Sequence, residues 1–361
     1  MSSPITPESA QELLARLPEV RGRLTPMAPL APYTWFRVGG PAEVFFTPAD
    51  PEDLAAFLAG TPEAVPLTIL GVGSNLLIRD GGIPGVAIRL GRGFNAVEPL
   101  EGARLRAGAA ALDSRAAEAA AEAGIGGLEY LRGVPGTIGG ALRMNAGCYG
   151  TETKDRLISA EFLLRDGTRR EISAGDLRFG YRSAQGWPEG AVAVSATFQG
   201  EPDQPEAVRA RMAELVARRE ASQPVKARTG GSTFRNPAGR STVDGSHMPL
   251  AAWRLIDEAG ARGLRIGGAE VSPQHCNFLI AHEGATAAEV EALGEEVRRR
   301  VFETSGHELH WEIKRLGLPA PGAAPIPDGA EKARERRAYG ISSPEVAGEA
   351  VNLHPDTRPG A

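Results

Sequence analysis

The sequence predicts an α+β protein of more than one domain, and three observations carry that reading. Near the start, the strand-like VFFT at residues 44–47, a helix opening at Asp50 and the apolar run Leu67–Leu70 follow one another as strand, helix and strand. In the middle, Asp166-Gly167 separates ISAEFLLR from TRREIS, which predicts a hairpin closed by a two-residue turn. Later, two long helical stripes are separated by short apolar segments. At 361 residues the chain is longer than one core comfortably fills, so two or three domains are expected.

The first unit, residues 1–90, contains the VFFT strand and a helix with Asp50 as N-cap and Pro51 at its first position. Leu67–Leu70 and Leu76–Ile78 then flank a glycine turn. The second unit, residues 91–210, opens with a helix over 112–123 stopped by Gly124. A glycine-rich loop at 129–150, the hairpin and a strand over 191–198 complete it. Pro205–Ser222 reads as an amphipathic helix with Val208, Met212, Leu215 and Val216 on one stripe, bridging into a third unit over 211–319. There a helix over 250–259 ends at Gly260. Another starts at Thr286, with Glu289 completing a capping box and Val290, Leu293, Val297 and Val301 along one face. From residue 320 to 361 the composition turns to proline, glycine and charge, which predicts a largely disordered tail with room for one short charged helix.

A net charge of −5 argues against a broad nucleic-acid surface. No apolar run reaches the roughly 18–20 residues of a membrane span. The N-terminal MSSPITPESAQELLARL lacks the basic and apolar regions of a secretory signal, so a cytoplasmic protein is expected. Cys148 and Cys276 lie far apart without CxxC spacing, which points to neither a disulfide framework nor a metal site.

The chemistry-bearing segments are individually modest. EYLRGVPGTIGGALRMNAGCYG at 129–150 holds six glycines between apolar flanks. Such density suits an ordered loop whose bare N–H groups meet phosphates. ILGVGSNLLI at 69–78 offers a second glycine turn. It is no dinucleotide fingerprint, because Leu76 stands where a third glycine belongs and no acid follows at the required distance. FGYRSA sets Tyr181 beside Arg182, a side chain suited to pairing with a carboxylate or phosphate. RTGGSTFRNP places Ser232 after two glycines, and Phe234 rules out a hydrolase elbow. In HELHWEIKRLG the histidines are three apart rather than four, so the segment reads as a final strand. Leu309, Trp311 and Ile313 share one face of it, while Glu308, His310, Glu312 and Lys314 share the other. On this evidence alone Glu312 is a solvated strand carboxylate.

Taken in order, TWFRVGGPAE, ILGVGSNLLI, GVPGTIGGALRMNAGCYG, FGYRSA, GGSTFRNP, AEVSPQHCNFLIA and LHWEIKRLG resemble the UDP-N-acetylenolpyruvoylglucosamine reductases (UDP-N-acetylmuramate dehydrogenases) over residues 28–317. The short spacing from Arg182 to Ser232 and the SPQHCNF segment resemble the shorter type, which lacks an extra substrate loop. The resemblance implies a two-part FAD-binding module of the vanillyl-alcohol-oxidase type, formed by the first two units, with the third as an α+β substrate-binding domain. It implies non-covalent FAD, NADPH as hydride donor, a nucleotide-sugar substrate, a monomer and a role in peptidoglycan synthesis. By position, Arg37, Gly71, Val72, Gly73, Ser74, Asn75, Leu76, Val134, Pro135, Gly136, Thr137, Gly139, Gly140, Ala146 and Gly147 correspond to the FAD site. Arg182 and Glu312 correspond to the groups that polarise the enol after hydride leaves flavin N5, and Ser232 to the proton donor. Tyr181, Asn236 and Lys226 correspond to substrate contacts. Trp35 and Cys148 depart from the family pattern without removing a chemical group. Two other readings stand beside this one: a different flavin oxidase or dehydrogenase on the same fold, and a non-catalytic nucleotide-sugar binding protein.

Overall fold

The computed structural model describes residues 4–238 and 250–338. The first unit is a four-stranded sheet in the order Arg23–Pro29, Pro41–Thr47, Ile83–Arg89, Leu67–Leu70. The last three strands run parallel, as expected of strands joined through a crossover helix, and the first pairs antiparallel at the edge. That helix, Pro51–Gly60, starts where the Asp50 carboxylate accepts from the Asp53 N–H at 2.9 Å. It buries Leu54, Phe57 and Leu58, with the Phe57 ring 4.2 Å from that of Phe46.

The second unit is a five-stranded antiparallel sheet ordered Arg169–Ser173, Leu157–Leu163, Val192–Gln199, Arg104–Gly108, Val97–Leu100. The Asp113–Glu122 helix packs on it through Ala116, Ala117, Ala120 and Ala121, and these small side chains let helix and sheet approach closely. Leu163, Val192 and Val194 point the other way, into a core shared with Val44, Phe46 and Phe57 of the first unit.

The hairpin forms where expected, but its loop has three residues rather than two. Leu163 pairs with Arg169, Leu164 N–H donates to Thr168 O, and Gly167 N–H donates back to Leu164 O, each at 2.9 Å. Gly167 takes φ +81° while Asp166 keeps a negative φ. A two-residue turn of the favoured kind would need positive φ at both, which only glycine adopts freely.

The third unit packs the Ala252–Glu258 and Ala287–Ser305 helices around a small sheet of Arg265–Ile266, Ala269–Val271 and Leu279–Ala281. Thr286 and Glu289 form the predicted capping box, and Val290, Leu293, Val297 and Val301 are fully buried. Phe36, Val38 and Leu77 of the first unit complete this core. Pro205–Ser222 buries only Val208 and Met212, so the second half of its apolar stripe stays partly exposed.

One expectation near the C-terminus is corrected. The strand predicted through 309–313 is reduced to an isolated bridge between Trp311 and Phe234, followed by the short strand Lys314–Leu316. That strand pairs in parallel with Leu76–Ile78. The tail from residue 320 carries one short charged helix, Gly329–Ala338, for which the composition left room; it packs on Ala287–Ser305 with Ala330 and Ala333 fully buried. Two alanines and a set of ion pairs, not an apolar stripe, hold it in place. Residues 339–361 of that tail lie outside the described residues.

Candidate active site

The three units enclose a cleft of about 1440 Å³, and one wall is made of the two glycine turns. The turn at 71–76 joins Leu67–Leu70 to Leu76–Ile78, and Gly73 within it has φ +69°. A Cβ there would stand 2.3 Å from Tyr33 O, so backbone contact alone dictates glycine. Gly71 and Gly140 are different. A Cβ on either would meet only Thr137 Oγ1, at 3.2 and 3.7 Å, and both residues line the cleft. The protein has room for a side chain at these points, so what their glycines keep clear is the cleft itself.

All of Gly71, Val72, Gly73, Ser74, Asn75, Leu76, Val134, Pro135, Gly136, Thr137, Gly139, Gly140, Ala146 and Gly147 lie on this wall. Behind Gly136, the fully buried Asp113 carboxylate has no hydrogen-bond partner for either oxygen among the described residues. Burial raises its pKa well above the carboxylate range, favouring the protonated acid. A cleft of this size, with backbone N–H groups approachable without Cβ obstruction, fits a dinucleotide cofactor such as FAD.

Cofactor and protein stability are therefore expected to respond in opposite directions at one position. Gly140 lies inside the Ile138–Met144 helix, where alanine is preferred by roughly 0.5–1 kcal/mol. Gly140→Ala should leave the apoprotein as stable or slightly more so, yet weaken FAD binding at least tenfold. Thermal unfolding and fluorescence titration of the apoprotein with FAD check the two arms.

Beside the second of the two glycine turns, Tyr181 and Arg182 form the turn between the paired residues Gly180 and Ser183, and Arg182 takes φ +53°. A positive φ at a non-glycine residue costs of the order of 1–3 kcal/mol and persists only where the surroundings hold it. One of the holders is Asn145, fully buried, whose Nδ2 donates to Gly180 O at 3.1 Å and to Glu152 Oε2 at 3.0 Å. From that turn Arg182 Nε donates to Glu312 Oε1 at 2.7 Å, with both side chains largely buried. Burial opposes the charge on Arg182, but the Glu312 carboxylate outweighs it and the pKa ends above the usual arginine value. Burial, followed by the field of Glu312, raises the Tyr181 pKa and keeps its hydroxyl protonated. Glu312 is thus not the solvated carboxylate of an exposed strand.

Ser232 lines the cleft one residue before a segment pinned by Asn277. Thr233 N–H donates to Asn277 O at 2.7 Å, and the Asn277 side chain pairs with both backbone groups of Phe234 at 2.9 Å. Glu312 N–H donates to Thr233 O at 2.8 Å, so the serine and glutamate segments are stitched together. Asn236 is on the wall too, its Oδ1 accepting from Ala252 N–H.

Two predicted site residues fall elsewhere. Arg37 is exposed, and its guanidinium donates to Pro32 O in its own loop. Lys226 is exposed in the turn after Pro205–Ser222. Neither lines the cleft, whose cationic groups besides Arg182 are Arg89, Arg143, Arg218, Arg219, Lys314 and Arg315. Two of these had a signal in the sequence: Arg143 follows the glycine pair within one helical turn, and Lys314 sits two residues beyond Glu312 on the same strand face. Burial, then the neighbouring Arg235 and Arg143, lower the Lys314 pKa, which marks a locus that favours an anion. Cys148 also lines the cleft. Its thiol faces Tyr130 O at 3.1 Å, and burial pushes its pKa up to about 12, so it is no thiolate nucleophile.

Comparison with known proteins agrees with this arrangement. A family model described as an FAD binding domain matches residues 42–173, which takes in strands of both sheets. A second, described as the C-terminal domain of UDP-N-acetylenolpyruvoylglucosamine reductase, matches residues 223–316. A UDP-N-acetylenolpyruvoylglucosamine reductase of Parvibaculum lavamentivorans is 57% identical over 311 residues, covering 86% of this chain and 96% of that protein. The reductase of Paracoccus denitrificans is 60% identical over 306 residues, covering 84% of this chain and 99% of that protein. Among solved structures, the crystal structure of the Thermus caldophilus reductase superposes with a TM-score of 0.69 at 34% identity, covering 83% of this chain and all of that one. With relatives matched almost end to end at more than half identity, the chain belongs to the UDP-N-acetylenolpyruvoylglucosamine reductase family.

Proposed function

We infer that this chain is an FAD-dependent reductase that uses NADPH to convert the enolpyruvyl group of UDP-N-acetylglucosamine enolpyruvate into the lactyl group of UDP-N-acetylmuramate, a step of peptidoglycan synthesis. The observation that carries the reading is the buried Arg182–Glu312 pair, set in the same glycine-walled cleft that Ser232 also lines. FAD held by the glycine turns would supply hydride chemistry at the methylene carbon of the enolpyruvyl double bond, with NADPH as its source. Negative charge then develops on the adjacent carbon and its carboxylate, and Arg182 places a fixed cation where it stabilises that charge. Glu312 orients the guanidinium through Nε. The Ser232 hydroxyl donates the proton that completes addition across the double bond, a task a weak acid performs only against a strongly basic, well-placed carbanion. Tyr181 and Asn236 are assigned to substrate contact. The Arg143 and Lys314 cations replace Lys226 as the groups nearest an anionic part of the bound molecules.

In the corresponding division of labour, residues 1–90 and 91–210 hold the cofactor and 211–319 cover the substrate. We assign the chain to the cytoplasm as a monomer. Among the described residues no helix is long and apolar enough to cross a membrane. The test is anaerobic reduction of the FAD-loaded protein by NADPH followed by addition of the enolpyruvyl nucleotide. Prompt reoxidation by that compound is the expected result. Reoxidation by oxygen alone would instead identify an oxidase, and a colourless protein that cannot be reconstituted with FAD would overturn the reading at its base.

A further inference from the structure

The Gly329–Ala338 helix lies beyond residue 316, where the C-terminal family model ends. Besides its buried alanines and the pairs made by Arg334 and Arg336, it is attached at its start. Asp328 caps it, accepting from Ala330 N–H and Glu331 N–H, and also accepts from Arg298 Nη1 at 2.7 Å. Gly329 N–H donates to Glu295 Oε2 at 2.8 Å. Glu295 and Arg298 are themselves buried and paired with each other.

Both residues reach onward to the segment that carries Glu312. Arg298 Nε donates to Leu309 O at 2.8 Å, and Nη2 reaches Glu308 at 3.2 Å. The other oxygen of Glu295, Oε1, accepts from Trp311 Nε1 at 2.7 Å and from Arg315 Nη1 at 2.9 Å. The Trp311 indole packs against the helix at Gly294, where a Cβ would come within 2.2 Å of its six-membered ring. On its other sides stand the Phe234 ring, at 5.2 Å between centroids, and the Arg315 guanidinium, at 4.6 Å. Trp311 is therefore adjacent in sequence to Glu312 and packed on the residue two beyond Ser232.

We propose that Trp311 and Glu295 are positioning residues for the reductive chemistry, and that the Gly329–Ala338 helix sets them by fixing Glu295 and Arg298 from behind. This rests on the roles given above to Ser232 and Glu312. One carboxylate, Glu295, accepts from the C-terminal helix through one oxygen and from the indole through the other. Loosening the helix lets Glu295 swing and frees the indole, which shifts the Thr233–Glu312 stitch and with it both groups facing the substrate.

The test is a two-by-two set in the full-length, FAD-loaded protein: Asp328→Ala, which releases the helix; Trp311→Phe, which keeps a ring but removes the N–H donated to Glu295; and both together. Each single variant should slow flavin reoxidation by the enolpyruvyl nucleotide about five- to tenfold while reduction by NADPH stays within about twofold of wild type. Because the two changes lie on one route, the double variant should be no slower than the slower single one, rather than slower by the product. Arg334→Ala frees the same helix from Glu308 and supplies the comparison if Asp328→Ala does not yield loaded protein. Unchanged reoxidation in Trp311→Phe, multiplicative effects, or equal loss in both half-reactions would overturn the proposal and leave the helix a purely stabilising element. Failure of the wild-type protein to be reoxidised by the nucleotide would instead overturn the functional reading.

Discussion

Ser232→Ala is expected to reduce reoxidation of the flavin by the enolpyruvyl nucleotide by about 10²–10⁴-fold, the usual contribution of a positioned general acid. Reduction by NADPH should remain within about twofold of wild type. The split follows from placement: Ser232 is on the cleft wall, in a segment whose backbone is held by Asn277 and Glu312, so removing one hydroxyl leaves the scaffold intact. Stopped-flow absorbance of the two half-reactions separates the effects. Equal slowing of both would mean that the serine serves the fold rather than the proton transfer. Reoxidation in deuterated solvent sharpens the result, since the wild-type rate should show a solvent isotope effect that the variant alters.

Arg182→Lys should be nearly as damaging, lowering the same rate constant by about 10²–10³-fold, as loss of a preorganised charge-stabilising donor does elsewhere. Lysine keeps the charge but cannot reproduce a planar guanidinium that donates from Nε to Glu312 while facing the cleft. The left-handed backbone at Arg182 means that even the correct charge at the end of a different side chain starts from a constrained turn. The variant should also lose stability, because Glu312 is left buried with a poorer partner; removing one member of a buried pair costs about 3–5 kcal/mol, which sets an upper bound. Paired measurements of half-reaction rates and denaturant midpoints check both arms. A lysine variant with wild-type reoxidation would remove Arg182 from the chemistry.

What the sequence made legible was local. Asp50, Thr286 and Glu289 announce helix starts because a cap depends on residues three apart, and Val290, Leu293, Val297 and Val301 announce a buried face because periodicity needs no partner. The two glycine turns were readable for a similar reason, as a density of residues that only close approach or positive φ requires. What remained hidden depended on partners distant in the chain. Glu312 looks like a solvated strand carboxylate until Arg182, 130 residues earlier, is seen beside it. Lys226 corresponds to a substrate position by resemblance, and the turn after Pro205–Ser222 places it at the surface, while Lys314 reaches the cleft through a parallel pairing with Leu76–Ile78. For the Gly329–Ala338 helix the charge run left room, but not its docking: it has almost no apolar pattern, and Arg298, Glu295 and Glu308 supply the attachment.

That parallel pairing has a thermodynamic side. Asn75, in the first glycine turn, accepts from Lys314 N–H at 3.0 Å and donates from Nδ2 to Glu312 O at 3.3 Å. A ligand that orders the turn around Asn75 therefore orders the backbone of Glu312 in the same event. Any such coupling is reciprocal: to the extent that one ligand spares a second the cost of ordering this segment, each raises the affinity of the other by the same factor. Were FAD to order that turn, it would act as a heterotropic effector of substrate binding, and titration of the nucleotide sugar into the apoprotein and the FAD-loaded protein would read the coupling as a difference in affinity.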